Sequence, residues 1–143
     1  MSSAPVERDY SSFSSAAKSR FRKMAGQLGY EQISGVIYVK ERDGWYELFY
    51  LQASSYGNPF FYFNYGVICP DQFPLTKEQL KSPGWIMGRR LDHPKGAFPC
   101  RTKAEIEESA AFAYEAYRKH AVPWFDSLTL EMVKAERRRQ LGR

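Results

Sequence analysis

The chain has 143 residues, of which 43% are hydrophobic and 26% are charged, proportions that are ordinary for a globular protein in water. A chain of this length fits one domain that buries roughly two-thirds of its unfolded surface. No run approaches the roughly 18 apolar residues of a membrane helix, and the polar start, MSSAPVERDYSS, lacks the apolar stretch of a secretory signal. We therefore expect a cytoplasmic protein that has no membrane partner.

The net charge of +5 is concentrated at the C-terminus. Residues 134–143 carry five basic side chains and one acidic side chain, so the rest of the chain carries only about +1. A nucleic-acid-binding domain usually presents a basic face instead. We divide the chain into a flexible tail at residues 1–10, a single α+β domain at 11–133 and a basic helix end at 134–143.

The two cysteines, Cys69 and Cys100, do not form the repeated spacing of a disulfide framework. Without a secretory signal, two such residues are typical of reduced, mostly buried thiols. The sequence leaves open whether the two side chains meet.

The first predicted element is a helix over residues 12–28. Apolar side chains recur along it at helical spacing and predict one buried stripe, formed by Phe13, Ala17, Phe21, Met24 and Leu28. Gly29 follows as a C-terminal stop. The basic side chains of this helix form either a solvated side or an anion-binding face; they are Lys18, Arg20, Arg22 and Lys23.

Nearly half of the 23 aromatic residues lie between residues 45 and 69, in WYELFYLQASSYGNPFFYFNYGVIC. One break, Ser-Tyr-Gly-Asn-Pro, divides this segment and predicts two strands of an antiparallel hairpin. The β-branched segment before it, ISGVIYVK at residues 33–40, predicts one more strand. Asp43 and Gly44 lie between the two segments and indicate a two-residue hairpin loop.

That loop sets the register of the first hairpin, because it places Arg42 opposite Trp45 and Lys40 opposite Glu47. In the second hairpin the loop allows more than one register. We expect the one in which Leu51 meets Phe63. One face of the sheet is then almost wholly apolar, with Phe49, Leu51, Ala53, Phe61, Phe63 and Val67. The other face carries Tyr46, Tyr50, Gln52, Tyr62 and Asn64.

The second half of the chain predicts further elements. Residues 76–81 suggest a helical turn, and residues 84–91 suggest a fourth strand. A capping box, Thr102 to Glu105, starts a helix that Pro123 ends or kinks. A last helix follows at residues 129–140. The predicted fold class is therefore α+β: an antiparallel meander of three to four strands, with an N-terminal helix and two C-terminal helices packed on one face.

Motifs for catalysis and metal binding are missing from the sequence. It has no nucleophile elbow, no phosphate-binding glycine loop and no zinc-binding helix motif. The two histidines, His93 and His120, do not combine with Asp92 or Cys100 at metal-ligand spacing. We therefore expect no catalytic residue, no metal and no cofactor. An enzyme site built from Arg89, Asp92 and His93 stays open as a less favoured alternative.

The surface that we single out is the second face of the sheet together with two arginines. Tyrosine and arginine are enriched at the energetic centres of protein interfaces. The candidate binding residues are Tyr50, Gln52, Tyr62, Asn64, Arg89 and Arg90. Alternatively, the long segment at residues 70–101 simply covers this face.

Several short motifs, taken in order, resemble a known family. They are Phe21-Arg22, Gly29-Tyr30, Tyr50-Leu51-Gln52-Ala53-Ser54, Phe63-Asn64-Tyr65-Gly66-Val67, Arg89-Arg90-Leu91 and Pro123-Trp124-Phe125-Asp126. Over residues 13–133 the chain resembles the bacterial domain-of-unknown-function family 4304. The resemblance implies an antiparallel sheet with helices on it and brings no established activity. Small α+β domains of this kind are also similar to immunity proteins of bacterial toxin systems.

These observations favour a non-enzymatic cytoplasmic domain that binds another protein, with an immunity-type inhibitor of a bacterial toxin as one form. The alternative is a sheet domain that binds nucleic acid with the help of the basic tail. The strand FFYFNYG resembles the base-stacking strand of an RNA-binding module but lacks the interleaved basic residues.

Overall fold

The computed structural model describes residues 15–53, 58–82 and 85–142. The predicted tail at residues 1–10, and the first residues of the predicted N-terminal helix with Phe13, lie outside the described residues. None of the described helices combines the length and the hydropathy that a bilayer crossing requires.

The fold is α+β, as predicted, and its sheet is an antiparallel meander in which the spatial order of the first five strands follows chain order. The strands are β1 (Glu31–Ser34), β2 (Ile37–Glu41), β3 (Tyr46–Ala53), β4 (Phe60–Ile68), β5 (Ile86–Leu91) and a short β6 (Phe98–Pro99) that pairs with the start of β4. The helices are α1 (Ser15–Gln27), α2 (Lys77–Lys81), α3 (Lys103–Ala116), α4 (Val122–Ser127) and α5 (Leu130–Gln140). A π-helical turn (Tyr117–Ala121) joins α3 to α4.

The sheet has more strands than the predicted three to four. The segment predicted as one strand at residues 33–40 is two strands, since the chain turns at Gly35 and Val36 and pairs β1 with β2. The sixth strand, β6, follows β5 in the chain and pairs with β4.

Both predicted hairpin registers are confirmed. Lys40 lies opposite Glu47, and the Arg42 amide donates to the Trp45 carbonyl at 2.7 Å across the Asp-Gly loop. In the second hairpin Leu51 lies opposite Phe63. Turn chemistry determined the first pairing, and the alternation of apolar side chains favoured the second among the registers that its loop allows.

The main core lies between the apolar sheet face and the helices. The Phe49 and Phe63 rings stack at 4.9 Å, and the Phe21 ring of α1 meets Phe61 edge-on at 4.9 Å. Tyr117, on the π turn, packs against both Phe49 and Phe63. The predicted stripe of α1 is buried at Ala17, Phe21 and Met24, and the helix ends before Gly29, whose φ is 83°.

The helix predicted from Thr102 starts as expected, because the Thr102 hydroxyl accepts from the Glu105 amide at 3.1 Å. The Glu105 carboxylate accepts from the Arg101 amide instead of closing the box on Thr102. Pro123 lies in the first turn of α4, directly after the π turn. A proline lacks the amide that a continuous α-helix would use there, so the helical type changes where Pro123 interrupts the α-helical hydrogen bonds.

The second face of the sheet is covered at one end. Tyr46, Leu48 and Ile68 form a small separate core with Leu80 of α2. The Tyr46 hydroxyl accepts from the Leu75 amide at 2.8 Å, and its ring lies 5.1 Å from Phe73. Residues 73–80 thus cover the Tyr46 end of this face, whereas Gln52 and Arg90 at the other end are exposed. The segment at residues 70–101 therefore covers one half of this face and leaves the other half exposed.

Candidate functional site

Four of the six predicted binding residues meet on the uncovered half of the second sheet face. Asn64 donates through Nδ2 to Gln52 Oε1 at 3.1 Å. Arg90 donates through Nε to Asn64 Oδ1 and through Nη2 to Gln52 Oε1, both at 3.2 Å. The Arg90 guanidinium also lies over the Tyr62 ring, 4.2 Å from its centroid. We call Gln52, Tyr62, Asn64 and Arg90 the polar patch.

The strand register explains why these residues meet. Tyr62 lies opposite Gln52 across β3 and β4, and Arg90 lies opposite Asn64 across β4 and β5. Residues directly opposite each other in a sheet present their side chains on the same face, about 5 Å apart. The polar patch therefore spans three neighbouring strands of a hydrogen-bonded sheet, which is a rigid support.

Arg90 is fixed in place without being neutralised. It has neutral amide oxygens and an aromatic ring as partners, and no carboxylate forms a salt bridge with it among the described residues. Asn64 is 7% exposed, and its side-chain amide forms hydrogen bonds with its neighbours Gln52 and Arg90. The patch presents a positive charge in a set orientation to solvent.

The other two predicted binding residues are not part of the polar patch. Tyr50 lies directly opposite Asn64 on the same face, and it is half-buried against the small core at the border with the covered end. Arg89 lies on the helix side of the sheet, where its guanidinium is 4.5 Å from the centroid of the Trp124 ring. Consecutive residues of a strand point to opposite faces, so Arg89 and Arg90 do not form one edge of a common platform.

An open cavity of about 590 Å³ borders the polar patch and shares Tyr62 with it. Phe60 adds a second ring to its lining, and Lys95 and Arg101 add two cations. Arg101 follows β6, whose pairing with β4 brings residues 95–101 alongside the patch. Neither cation was among the predicted binding residues. The sequence around Lys95, with its prolines and glycine, is typical of a loop, but the position of that loop beside Tyr62 depends on the two-residue strand β6.

A second polar cluster lies beneath the sheet, within the main core. Glu47 is 3% exposed and accepts from Arg42 Nη2 at 2.9 Å, and the same nitrogen donates to Asp126 Oδ1 at 2.8 Å. The Tyr30 and Tyr117 hydroxyls hydrogen-bond to each other nearby. Burial, reinforced by the neighbouring Tyr117 and Glu47, raises the pKa of Tyr30 far above its usual range. This cluster joins β3, α4 and the π turn through groups that are already satisfied.

The residues of the less favoured enzyme alternative line one cavity on the helix side of the sheet. Arg89, Asp92 and His93 are joined there by His120 of the π turn. The His93 ring packs 4.7 Å from Phe98, and burial is the main cause that lowers the pKa of His93. The arrangement supplies cationic and hydrogen-bonding groups.

Cysteine chemistry and metal binding receive no support from the described residues. Cys69 and Cys100 are free, buried thiols, and burial raises the pKa of Cys100 to about 12. A neutral thiol of this kind is a poor nucleophile at neutral pH. Within the described ranges no three histidine, cysteine or acidic side chains gather in a way that could hold a metal ion.

The fold and the site together define a small α+β domain whose antiparallel sheet buries one face under helices and leaves half of the other open. A family model described as "Domain of unknown function (DUF4304)" matches residues 21–127, and the chain belongs to this family. The resemblance inferred from the short motifs is thereby confirmed. No curated protein and no solved structure matches the chain.

Proposed function

We propose that this protein is a non-enzymatic, cytoplasmic binding domain that recognises another protein through the polar patch. The observation that carries the proposal is Arg90, which Gln52, Asn64 and Tyr62 hold in one orientation without neutralising its charge. A pre-organised side chain loses little conformational entropy on binding. Arginine and tyrosine are also the side chains that most often dominate binding energy at protein interfaces.

The charges around the patch indicate what the partner presents. Lys95 and Arg101 line the cavity together with the half-buried rings of Phe60 and Tyr62, and Arg90 lies over Tyr62. Glu105 is the one carboxylate in this lining among the described residues. An acidic surface with an apolar centre would complement this arrangement. An inhibitor that masks an acidic surface of a bacterial toxin, such as a site that binds a basic substrate, would be one specific form of such a domain.

Nucleic-acid binding is the second candidate function. Two aromatic rings beside three cations would suit stacking of unpaired bases. The basic tail supports this candidate less than its sequence suggests, because Arg137 pairs with Asp71 and Arg139 pairs with Glu136. Binding of single-stranded oligonucleotides that weakens steeply with salt would favour this candidate over the first.

The test compares two pairs of substitutions in a capture experiment from native lysate. Tyr62→Ala and Arg90→Ala remove the stacked pair of the patch. Tyr114→Ala and Arg118→Ala remove another pair in which an arginine lies over a tyrosine, at 5.5 Å on α3 and the π turn. Circular dichroism and urea unfolding serve as controls for the folding of all four variants.

We expect a partner that the wild-type protein captures to be lost with both patch variants and retained with both control variants. Nuclease treatment of the lysate separates a protein partner from one held through nucleic acid. A partner retained by Tyr62→Ala and Arg90→Ala would contradict the proposed surface.

A further inference from the structure

A cavity of about 530 Å³ lies on the helix side of β5 and shares Arg90 of that strand with the polar patch. One wall is β5 and the loop that follows it, and the other wall is α3 with the π turn. Five side chains of its lining matter here: Tyr65, Arg89, His93, Phe112 and His120. We call it the Arg89 cavity. Its volume lies within the range of pockets that hold small organic molecules.

Arg89 supplies a cation that no carboxylate neutralises. Its guanidinium is held over the Trp124 ring at 4.5 Å, and it forms no salt bridge within the described part of the chain. Among the described residues Asp92 is the one carboxylate that lines the cavity, and Arg90 also borders it, although its guanidinium lies over Tyr62 on the other face. The formal charges of Arg89 and Asp92 therefore balance, and an anion would be attracted by the Arg89 guanidinium, which forms no salt bridge, and by the imidazole N–H groups rather than by a net positive charge.

His93 is oriented so that it can donate a hydrogen bond. Its Nδ1 accepts from the Lys95 amide at 3.1 Å, which places the proton of the neutral ring on Nε2. Phe98 and Phe112 hold the ring from two sides, with centroids 4.7 and 4.9 Å away. An imidazole that is fixed in this way needs little reorganisation to bind a ligand.

The opposite wall contributes His120 and Phe112. His120 lies in the π turn, a helical form that is rare and occurs often at functional sites. Phe112 of α3 lines the cavity and is 38% exposed, so its ring presents an apolar surface beside the polar groups. Tyr65, 5% exposed, lies at the base, with its ring edge-on to Trp124.

We infer that the Arg89 cavity binds a small organic anion whose carboxylate or phosphate group meets Arg89 and the two imidazoles, and whose apolar part packs on Phe112. An arginine and N–H donors that line one cavity can recognise the oxygens of such groups. This site is independent of the proposed protein-binding function, since it lies on the other face of the sheet.

The test uses phenyl phosphate and benzoate as probes, with benzyl alcohol as the uncharged control. Titration calorimetry at low salt measures affinity, and amide chemical-shift changes in ¹⁵N-labelled full-length protein locate the site. We expect at least one of the two anions to bind and to change the amide chemical shifts of residues 65, 89–93, 112 and 120. We expect the alcohol to bind at least about tenfold more weakly than that anion. The tighter of the two anions identifies the preferred head group.

Arg89→Gln should weaken binding of the preferred anion by at least about tenfold, because it removes a charge-assisted contact. Arg118→Gln, which changes an arginine that also lies over a ring but outside the cavity, should leave affinity nearly unchanged. If Arg89→Gln fails to fold, His120→Gln takes its place with the same expectation in direction. Absence of binding at millimolar anion, equal binding of the alcohol, or equal losses in the cavity and control variants would each overturn the inference.

Discussion

Glu47 is a buried carboxylate, and the alternation of β3 indicates its burial. It is an odd-numbered residue between apolar neighbours of the core face, and the strand register places it opposite Lys40 and Val67. The register alone would suggest Lys40 as its ionic partner. In the structure Glu47 pairs instead with Arg42, which reaches inward from the hairpin turn and is 31% exposed. Turn residues are harder to assign because their side chains follow no period.

Arg42→Ala should destabilise the protein by about 3 kcal/mol, because it leaves the nearly buried Glu47 carboxylate without its ion pair. Asp126→Asn is the matched control: Asp126 pairs with the same guanidinium, but its side chain is 60% exposed. Its loss should cost less than about 1 kcal/mol. Urea unfolding of both variants checks this expectation. Equal costs would show that Glu47 does not depend on Arg42.

Stability should fall as pH rises above 9, partly through Cys100. Burial raises the pKa of this thiol to about 12 from an ordinary value of 9.0, so between these values the unfolded chain loses a proton that the folded chain keeps. The free energy of unfolding then falls by up to about 1.4 kcal/mol per pH unit from this group alone. The raised pKa values of Tyr30 and Tyr117 add to the loss above pH 10.

Urea unfolding between pH 8 and pH 10 measures this slope, and Cys100→Ala should make it shallower while the tyrosine contribution stays. The comparison uses slopes, so a change in overall stability from the smaller side chain does not affect it. The same slope in both proteins would contradict the assignment to Cys100.

At the scale of elements, the contact between β4 and β5 determines where Arg89 and Arg90 lie. The two strands pair over six residues, and at Gly66 the backbone of β5 leaves no room for a side chain. A Cβ at this position would lie 2.4 Å from the Met87 carbonyl oxygen. This glycine is therefore required for close approach of the strands, although the Asn-Tyr-Gly-Val motif alone gave no such indication.

Gly66→Ala should cost about 3 kcal/mol, because backbone atoms of β5 would have to move and cannot do so as a flexible side chain would. Gly88→Ala, on the strand opposite, is the control, since its nearest neighbour would lie 3.9 Å away. That variant should change stability by less than about 1 kcal/mol. Urea unfolding provides both values, and equal values would contradict the proposed clash.

The elements differ in how well the sequence predicted them. The hairpin registers, the helix from Thr102 and the last helix depend on local turn and cap chemistry, which short motifs carry. The sequence did not decide whether the second sheet face is covered. The covering residues, Phe73, Leu75 and Leu80, are scattered in a segment that has no clear hydrophobic period. The joint cavity of His93 and His120 was also missed, since it arises from the π turn and from packing of α3 against β5.

For the whole molecule, the sheet separates two surfaces of different character. The helix side contains the main core and, at the margin of β5, the Arg89 cavity. The other side has a small core under α2 at one end and the polar patch at the other. The two consecutive arginines of β5 serve one surface each, so substitutions at positions 89 and 90 separate the functions proposed for the two sides.

The most direct measurement of the central proposal is the dissociation constant of the captured protein partner for wild type, Tyr62→Ala, Arg90→Ala and the double variant. Each single variant should weaken binding by roughly 30-fold, about 2 kcal/mol. The double variant should lose less than the sum, because Arg90 lies over Tyr62 and the two act together. Tyr114→Ala should bind as wild type does. Unchanged affinity in Tyr62→Ala and Arg90→Ala, or an equal loss in Tyr114→Ala, would contradict recognition through the polar patch.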